Sequence, residues 1–580
     1  MIEVSYHAPT DKFHIKAPYA ALEVMRNAAI RRWDKPTDTW VMPPVREIRD
    51  YLKRHGARFV GDAEQAPEQR LTRAPYHGEQ HTYKTTPYGH QMNANGFLRD
   101  IPGAGLFMDP GTGKSKVLID DFTYQSHMGF VSGLMVVCPN SITGNWADEL
   151  IIHSPLNLDI HTWSAGQHKQ LKRWMDSKPR LTVFVIGVES LSTKSGVDAA
   201  LAFLKSRPCM MAVDESSRIK NFKSQRTANI IALGKHAALR RIATGTPATQ
   251  GPHNLWSQLE FIDKSILDMD YYPFRNFFCV MGGYKGKQVL APRNQDILME
   301  LLAPYVFRAT KAECLDLPEK VYERRRVPLS PFQAEEYDRI YSGAVGEART
   351  IALVRDLRLH QLLGGFTVRH EAQQTLSALL ATDPEAALRM LEDEQVLETI
   401  TEPIPGPNPR LDELCAYLEE VPGKAVVWCR YRAEVAIVAE ALRAMGGVVE
   451  FHGGIERDQR DVNRRAFQTD PEVRYFVGQI ATGGIGITLT AASDEVFYSS
   501  DWSAENRIQA EDRIHRIGQT NHCTYCDLLA EGNRIDTRIQ RAVSRGIDYH
   551  RAVFDALGNL MLDTPIEGSD AGVPNLTKEF

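Results

Sequence analysis

The sequence predicts an α/β fold in which two lobes, each built around a parallel β-sheet, are joined by helical segments and preceded by a small N-terminal module. Short apolar runs alternate with helical stretches between residues 104 and 244, and the alternation returns between residues 425 and 498. Residues 250–410 instead carry long helical patterns and few strand signals. Strands that alternate with helices form parallel sheets with helices on both faces. A chain of 580 residues has room for about two to four domains.

The individual elements follow from these patterns. Apolar runs that we interpret as strands cover residues 104–108, 133–138, 182–186, 209–213, 241–244, 425–429, 448–451, 475–477 and 496–498. Long helical patterns cover residues 332–341 and 384–398. The predicted segments are a small N-terminal module (1–75), a first lobe with a helical insertion (76–310), a linker and helical insertion (311–410), a second lobe (411–560) and a flexible tail (561–580).

Composition and charge exclude several classes of protein. The hydrophobic fraction of 43% and the charged fraction of 24% are ordinary for a globular protein, and no run of about 18 apolar residues predicts a membrane helix. A net charge of −5 argues against indiscriminate coating of nucleic acid and allows local basic patches such as 324–326. The start of the chain lacks the pattern of a signal peptide, and the cysteines lie mostly in apolar runs. We therefore expect a cytoplasmic protein with reduced thiols, of bacterial or phage origin and associated with the nucleoid.

A glycine-rich turn at residues 109–113 is the strongest local signal. It follows an apolar run and precedes a helical segment that begins near Lys114. In such a turn Gly111, Thr112 and Gly113 direct backbone N–H groups at an anion. Lys114 then reaches the terminal phosphates of a nucleotide, and the Ser115 hydroxyl holds Mg²⁺. Met108 replaces the usual first glycine, and the alternative is an ordinary glycine turn before a helix.

Two adjacent carboxylates, Asp214 and Glu215, follow the predicted strand 209–213. Carboxylates at a buried strand end are costly unless a positive group lies nearby. Mg²⁺ on a phosphate chain satisfies Asp214, and Glu215 is then available to polarise water for attack on the terminal phosphate. The alternative is a solvated strand end or a helix N-cap. Since other predicted strands end in polar residues at 139–141 and 245–247, all of these residues gather on one edge of the sheet.

The second predicted lobe contains Gln509, Arg513 and Arg516. The arginines are three residues apart, which predicts that they share one face of a helix. Two guanidinium groups on one face suit a phosphate chain, although surface ion pairs with Glu511 and Asp512 are the alternative. Upstream, the glycines of residues 482–488 allow close approach to phosphates, or form a plain tight turn.

These motifs, in this order, resemble those of superfamily-two helicases, specifically the Swi/Snf-type DNA translocases. The matching stretches are 108–115, 138–140 with 145–146, 214–221, 243–247 with 255–256, 482–490 and 501–519. The resemblance covers about residues 85–540, and the Arg-Ile-Gly-Gln run at 516–519 is its most specific part. It implies a P-loop NTPase with two RecA-like lobes that binds ATP and Mg²⁺.

The resemblance also implies a role for each candidate residue. Mg-ATP binds at Gly111, Thr112, Gly113, Lys114, Ser115 and Asp214, with Gln91 near the adenine; Ser115 and Asp214 face the metal. Glu215 activates water, Arg513 and Arg516 act as arginine fingers, and Gln509 senses the γ-phosphate. Backbone and hydroxyl groups near Asn140, Ser141, Thr244, Gly245, Thr482 and Gly483 contact DNA phosphates.

The implied activity is DNA-stimulated ATP hydrolysis by a monomer that translocates on double-stranded or branched DNA, with fork remodelling, strand annealing or DNA repair as outcomes. Residues 31–43 are similar to the HARP module of annealing helicases, which would grip forked DNA; a small structural cap with Trp33 and Trp40 in its core is the alternative. An RNA or single-strand helicase of the same superfamily and a non-hydrolysing nucleotide-binding scaffold on DNA are competing interpretations.

Two departures from the family pattern concern coupling between motifs. Ser217 stands where the family usually has histidine after the two carboxylates. The motif at 244–247 continues as 248–251 without the customary asparagine. The coupling that the family's histidine provides is therefore not expected at Ser217.

Overall fold

The computed structural model describes residues 2–7, 12–18, 21, 32–34, 37, 39–42, 52–53, 56–64, 83–177, 180–283, 288–342, 349–483, 486–532 and 534–562. The chain forms two compact units. The first extends to Cys314 and includes the chain again from Asp548, and the second is Leu315–Ile547. Among the described residues, no helix combines the length and the apolar character needed to cross a membrane.

A small sheet precedes the first lobe. Its strands are β1 (Glu3–His7), β2 (Lys12–Lys16), β3 (Arg32–Asp34), β4 (Thr39–Met42) and β5 (Arg58–Phe59), in the order β3-β4-β2-β1-β5. Val4, Phe13 and Ile15 are fully buried and form its core. Trp33 and Trp40 are register partners across β3 and β4, so the two tryptophans lie opposite each other in a pair of antiparallel strands.

The first lobe is built on a seven-stranded parallel sheet in the order β14-β6-β11-β10-β7-β9-β8, and β12 and β13 form a separate antiparallel pair. The strands are β6 (Gly103–Met108), β7 (Gly133–Cys138), β8 (Asp159–Thr162), β9 (Thr182–Gly187), β10 (Cys209–Asp214), β11 (Leu239–Thr244), β12 (Cys279–Gly282), β13 (Gln288–Pro292) and β14 (Val306–Ala309). Every residue of β6, β7, β9 and β10 is buried, as expected for parallel strands covered on both faces.

Helices cover this sheet and carry the site residues to one edge of it. The α-helices of the first unit are Gly89–Leu98, Lys114–His127, Thr143–His153, His168–Asp176, Lys194–Ser206, Gln225–Gly234, Trp256–Ile262, Tyr271–Phe278, Gln295–Leu302 and Lys311–Cys314. Short 3-10 helices at Asn140–Ile142 and Ser216–Ile219 directly follow the carboxyl ends of β7 and β10. Val553, Phe554 and Leu557, near the end of the chain, belong to the same hydrophobic core as this lobe.

Arg241 holds three parts of the first lobe together. Its side chain lies on β11 and is fully buried. The guanidinium donates to Asp121 Oδ2 at 2.7 Å, to Ile101 O at 2.8 Å and to Leu98 O at 3.1 Å. Through these bonds, β11 is tied to helix Lys114–His127 and to the end of helix Gly89–Leu98. These are the two helices that flank the glycine-rich loop.

The second lobe is a six-stranded parallel sheet in the order β15-β22-β21-β18-β20-β19, with β16 and β17 as a separate antiparallel pair. The strands are β15 (Lys320–Val327), β16 (Phe366–Val368), β17 (Thr401–Pro403), β18 (Lys424–Cys429), β19 (Gly447–Phe451), β20 (Val473–Gln479), β21 (Ala492–Phe497) and β22 (Cys523–Ala530). The helices are Pro331–Ser342, Arg349–Leu363, His370–Thr382, Pro384–Glu392, Glu394–Ile400, Pro409–Glu420, Arg432–Leu442, Arg457–Thr469, Ile480–Gly483, Ala504–Glu511 and Arg534–Leu562.

The two parallel sheets confirm the predicted α/β fold class. Some details differ from the sequence prediction. Residues 320–327 form an edge strand of the second sheet, although few strand signals are present there. The helical pattern predicted for 384–398 is broken at Asp393, whose side chain accepts hydrogen bonds from Gln395 N and Val396 N and so begins a new helix.

Candidate nucleotide and nucleic-acid sites

The glycine-rich loop joins the end of β6 to helix Lys114–His127. Gly111 and Gly113 have φ values of 85° and 87°, a conformation that favours glycine. A Cβ atom on Gly113 would lie 2.2 Å from Gln91 Nε2, so a side chain does not fit there. Lys114 folds back under the loop, and its Nζ donates to Met108 O at 3.0 Å. The loop thus has the geometry of a phosphate-binding turn with a buried lysine beneath it.

Gln91 lies against this loop. Its Nε2 donates to Thr112 O at 3.1 Å, and its Oε1 accepts a hydrogen bond from Tyr88 N at 3.0 Å. His90 Nε2 also lies 2.8 Å from Thr112 O. The two side chains therefore fix helix Gly89–Leu98 to the phosphate loop, and the adenine contact expected for Gln91 stays a prediction.

Asp214 ends β10 in a buried position. Its Oδ2 accepts a hydrogen bond from Trp146 Nε1 at 3.0 Å, and its Oδ1 accepts one from Glu215 N at 3.0 Å. Burial raises the pKa of the Asp214 carboxyl, while the charge of Lys114 and the bond from Trp146 act in the opposite direction. Lys114 is thus electrostatically coupled to Asp214. Trp146, predicted only as part of a motif, is a direct partner of this carboxylate.

Glu215 adopts a left-handed backbone conformation with φ of 49°. This conformation costs a residue with a long side chain about 1–2 kcal/mol, and backbone strain of this kind concentrates at functional sites. It turns the chain sharply between β10 and the 3-10 helix Ser216–Ile219. Glu215 is half-buried. The turn at Glu215 therefore sets the direction in which the Glu215 side chain leaves the end of β10, next to Asp214.

Gln258 connects the carboxylate loop with the loop that follows β11. Ser216 Oγ donates to Gln258 Oε1 at 2.7 Å, and Gln258 Nε2 donates to Pro247 O at 2.8 Å and to Asn254 O at 2.9 Å. Gln258 is fully buried on helix Trp256–Ile262. This connection is one that the sequence did not predict, because Gln258 lies 42 residues from Ser216 and belongs to no recognised motif.

The predicted DNA-contacting residues of the first unit differ in their exposure to solvent. Asn140 and Ser141 are exposed on the 3-10 helix that follows β7. Thr244 and Gly245 are buried. The Thr244 hydroxyl accepts a hydrogen bond from Thr246 N at 3.0 Å, and a Cβ on Gly245 would lie 2.6 Å from Pro110 Cδ. These two residues therefore shape a loop that packs directly against the phosphate loop.

In the second unit, the predicted helix does not extend to the arginines. Helix Ala504–Glu511 begins at the cap Ser503, whose hydroxyl accepts a hydrogen bond from Asn506 N at 3.1 Å, and ends at Glu511. Gln509 is buried in its last turn. Arg513 and Arg516 lie in the turn that follows, so the prediction that they share one helix face is wrong.

A single carbonyl oxygen nevertheless brings the two arginines together. Arg513 Nη1 donates to Ile487 O at 3.0 Å, and Arg516 Nη1 donates to the same oxygen at 3.2 Å. Arg513 Nε also donates to Gln509 O at 2.6 Å. The turn closes at Gly518, with φ of 99°, and at Gln519, whose Nε2 donates to Ala492 O at 2.8 Å. We call residues 512–519 the arginine turn.

Thr482 and Gly483 lie on the short helix that follows β20. Thr482 Oγ1 donates to Gln479 Oε1 at 3.4 Å. A Cβ on Gly483 would lie 2.2 Å from the ring of Trp428, so close packing requires a glycine here. Gln479 Nε2 donates to Glu394 Oε1 at 2.9 Å beside a cavity of about 220 Å³, which ties the helical insertion to this loop.

The comparisons with known proteins agree with this architecture. The family model described as SNF2-related domain matches residues 22–382, and the helicase conserved C-terminal domain matches residues 409–518. The first match covers well over half of the chain, which therefore belongs to the SNF2 family of helicase-like ATPases. The predicted resemblance to Swi/Snf-type proteins is thus confirmed, whereas the HARP assignment of the N-terminal module stays a prediction.

Individual relatives are distant. The chain is 27% identical to "Chromodomain-helicase-DNA-binding protein 1-like" of Danio rerio over 77% of this chain and 42% of the relative. It is 26% identical to "Putative ATP-dependent helicase/translocase YwqA" of Bacillus subtilis over 83% of this chain and 50% of the relative. The chain thus spans about half the length of these relatives or less. A Sulfolobus solfataricus SWI2/SNF2 ATPase core solved with double-stranded DNA aligns with 84% of this chain and 97% of its own, at 20% identity and a TM-score of 0.36.

Proposed function

We propose that this protein hydrolyses ATP in response to DNA and uses that reaction to translocate along double-stranded DNA. The observation that carries the proposal is the arrangement of Lys114, Asp214 and Glu215 at the carboxyl edge of one parallel sheet in a member of the SNF2 family. A buried cation, a buried carboxylate and a second carboxylate on a strained turn are the groups that phosphoryl transfer to water requires.

The residues present fit a magnesium nucleotide. The phosphate loop has no room for a side chain at Gly113, and Lys114 already lies beneath it. Asp214 is a carboxylate whose burial raises its pKa, and a divalent cation would relieve this cost. Ser115 and Asp214 would hold the ion, which would neutralise charge on the phosphates as the bond to the terminal phosphate breaks.

Each chain residue then has one task. Lys114 and the backbone of Gly111, Thr112 and Gly113 bind phosphate oxygens. The Glu215 carboxylate accepts a proton from the attacking water. In the second unit, Arg513 and Arg516 stabilise charge in the transition state, a contribution worth about 10³–10⁵ in rate for arginine fingers, while Gln509 senses the γ-phosphate.

Contact with DNA would involve the loops near Asn140, Ser141, Thr244, Gly245, Thr482 and Gly483. Such contacts are to phosphates and carry no base information, so we propose tracking that is independent of sequence. Binding should weaken with salt, by about one log unit per log unit of salt for each phosphate neutralised. Fork remodelling or strand annealing through the N-terminal module is the finer form of this proposal.

An ATPase assay across a panel of nucleic acids tests the function. We expect duplex DNA to stimulate turnover at least about tenfold above the rate without DNA, and more than single-stranded DNA or RNA does. Stronger stimulation by RNA or single strands would favour a helicase of the same superfamily. Wild-type protein with no turnover on any member of the panel would favour a non-hydrolysing scaffold.

Glu215→Gln tests the catalytic assignment. The amide cannot accept the proton of the attacking water, so we expect ATP binding within about twofold of wild type and turnover reduced at least about a thousandfold. Binding is measured with a fluorescent ATP analogue and turnover by phosphate release. Glu260→Gln is the matched control, because Glu260 is a second half-buried glutamate of the first unit and lies outside the candidate site. Undiminished turnover of Glu215→Gln would remove Glu215 as the base.

A further inference from the structure

A buried group of charges surrounds Glu511, the last residue of the helix that leads into the arginine turn. Glu511 Oε2 accepts hydrogen bonds from Lys320 Nζ at 3.1 Å and from the Tyr322 hydroxyl at 2.8 Å. Its Oε1 accepts one from Arg507 Nε at 2.8 Å. Both carboxylate oxygens are therefore occupied, and the end of the helix is held from β15 as well as from within the helix.

The segment just before β15 also touches the arginine turn. His515 Nε2 donates to Pro318 O at 2.9 Å. Cys523 N, just after the turn, donates to Glu319 O at 3.1 Å. Lys320 itself lies 4.0 Å from Asp512 Oδ1 and 5.3 Å from the centre of the Tyr525 ring. Residues 318–320 thus contact the turn at its start, in its middle and just after its end.

Lys320 supplies one of the two positive charges that face three carboxylates, those of Glu511, Asp512 and Asp527. Arg507 is shared, because its guanidinium also forms two bonds with Asp527 on β22. Burial alone would raise the pKa of the Glu511 carboxyl, but Lys320 and Arg507 overcome this effect and hold its pKa below the usual value. Without Lys320, Glu511 would keep only the Tyr322 hydroxyl and the Arg507 guanidinium, which is also bound to Asp527, as its described partners. A buried carboxylate that loses its partner costs several kcal/mol unless the structure moves.

Lys320 also lies close in sequence to a boundary between the two units. The first unit extends to Cys314 and the second begins at Leu315, so β15 is the first strand that the chain enters in the second unit. Residues 315–319 lie between that boundary and the strand that carries Lys320. The same strand is bonded to the end of the helix from which the arginine turn starts.

We propose that Lys320 is a positioning residue for the arginine turn: by pairing with Glu511 it fixes the end of helix Ala504–Glu511 and, through it, the places of Arg513 and Arg516. The inference rests on the proposed function, in which these arginines support ATP hydrolysis. Lys320 does not touch the nucleotide in this scheme. It lies on the first strand after Leu315, one of the two places where the chain passes between the units.

Lys320→Met tests the proposal, because methionine keeps the aliphatic stem and removes the charge. We expect the kcat for ATP hydrolysis at saturating DNA to fall about tenfold to a hundredfold, since a displacement of about 1 Å in a catalytic group costs about a hundredfold. The dissociation constant for a fluorescent ATP analogue should stay within about twofold. Lys320→Arg, which restores a cation beside Glu511, should recover at least about half of the wild-type kcat.

Lys424→Met is the matched control for loss of a lysine from the same sheet. Lys424 on β18 donates to Phe467 O at 2.6 Å and to Asp470 O at 2.5 Å. We expect this variant to lose as much thermal stability as Lys320→Met and to keep its kcat. Equal kcat losses in both variants at equal Tm would overturn the proposal, and so would wild-type kcat in Lys320→Met or a loss of nucleotide binding that explains its low rate.

Arg516→Ala and the double variant Lys320→Met/Arg516→Ala complete the cycle. If Lys320 acts through the arginine turn, the double variant is no slower than Arg516→Ala. Independent, multiplicative losses would overturn the proposal while the proposed function stands. Wild-type turnover in Arg516→Ala would instead refute the arginine role within the proposed function, so the two failures are distinguishable.

Discussion

The carboxyl group of Asp214 is buried, and burial disfavours its ionised form. Burial raises the pKa of this carboxyl, so the native protein binds its proton more tightly than the unfolded chain does. For an acid whose folded pKa is raised, the ionised form destabilises the native state, and stability is lost as the pH rises through the folded pKa. In the proposed function, Mg²⁺ at Asp214 would offset this cost.

Asp214→Asn should therefore stabilise the nucleotide-free protein and abolish its ATPase activity. We expect the Tm at pH 7 to rise, because the substitution removes the carboxylate whose ionised form is disfavoured by burial. The difference from wild type should shrink as the pH falls, because protonation removes the same charge. Differential scanning calorimetry between pH 5 and 8 measures both effects.

Asp270→Asn, at an exposed carboxylate of the same unit, is the control and should leave the Tm unchanged. A lower Tm for Asp214→Asn at pH 7 would show that the bonds from Trp146 and Glu215 outweigh the cost of burial. That result would remove the argument that Asp214 awaits a cation.

Candidate residues that belong to a local motif could be predicted from the sequence. Residues whose hydrogen-bond partners lie far away in the sequence could not. Lys114 and Asp214 were found because a glycine turn and a strand end each occupy a few consecutive residues. Gln258 and Lys320 were missed because their partners, Ser216 and Glu511, lie 42 and 191 residues away. Arg513 and Arg516 were placed on a helix because spacing alone does not reveal where that helix ends.

At the scale of elements, helix Trp256–Ile262 joins two loops through one side chain. Gln258→Leu would leave the Ser216 hydroxyl and the Pro247 carbonyl without their partner. We expect stimulation of ATP hydrolysis by duplex DNA to fall at least about fivefold. The reason is that a movement of the loop after β11 would no longer be transmitted to the carboxylate loop through Gln258. The rate without DNA should stay within about threefold of wild type. Steady-state phosphate release with and without duplex measures both rates.

Gln125→Leu is the matched control for this variant. Gln125 is another buried glutamine of the first unit, and its Nε2 donates to Arg99 O at 3.0 Å and to Asp121 Oδ1 at 3.1 Å, away from both loops. Its stability should fall by a similar amount, about 1–3 kcal/mol, while DNA stimulation is retained. If Gln125→Leu lost stimulation equally, the effect of Gln258→Leu would be a general consequence of instability.

Arg241 illustrates how buried charge fixes the elements around the phosphate loop. Arg241→Met removes the ion pair of the buried Asp121 and the guanidinium donor of four backbone carbonyls, so we expect a loss of about 3–5 kcal/mol in the free energy of unfolding. Denaturant titration of the whole protein measures it. The double variant Asp121→Leu/Arg241→Met should recover part of the loss, because it removes the buried carboxylate and does not restore the lost carbonyl bonds. Full recovery would mean that these carbonyl bonds contribute nothing.

Element boundaries were predictable where a strand is apolar and were missed where its sequence is polar. Residues 133–138 and 209–213 are apolar throughout because strands β7 and β10 are covered on both faces. The edge strand β15 contains Arg324, Arg325 and Arg326, and because its sequence is polar it was not predicted as a strand. Arg325 is bonded to Glu413 and Glu420 of helix Pro409–Glu420, so this basic run is an ion-paired strand in the fold.

At the scale of the whole molecule, the small N-terminal sheet is separate from the parallel sheets and has its own strand order. Its buried residues Val4, Phe13 and Ile15 belong to the same hydrophobic core as the first lobe. If this module grips forked DNA, it acts as a second binding element tethered to the motor, and a second tethered element raises affinity well beyond either part alone. On plain duplex the lobes alone would suffice.

Deleting residues 1–75 should therefore separate two activities. We expect affinity for forked DNA to fall at least about tenfold and affinity for plain duplex to change by no more than about twofold. Fluorescence anisotropy at one fixed salt concentration measures both, because affinities at different salt are not comparable. The ATPase rate on plain duplex is the internal control for folding of the remaining chain. Undiminished affinity for forked DNA, with that control intact, would make the module a structural cap; equal losses on both substrates would make it a general DNA clamp.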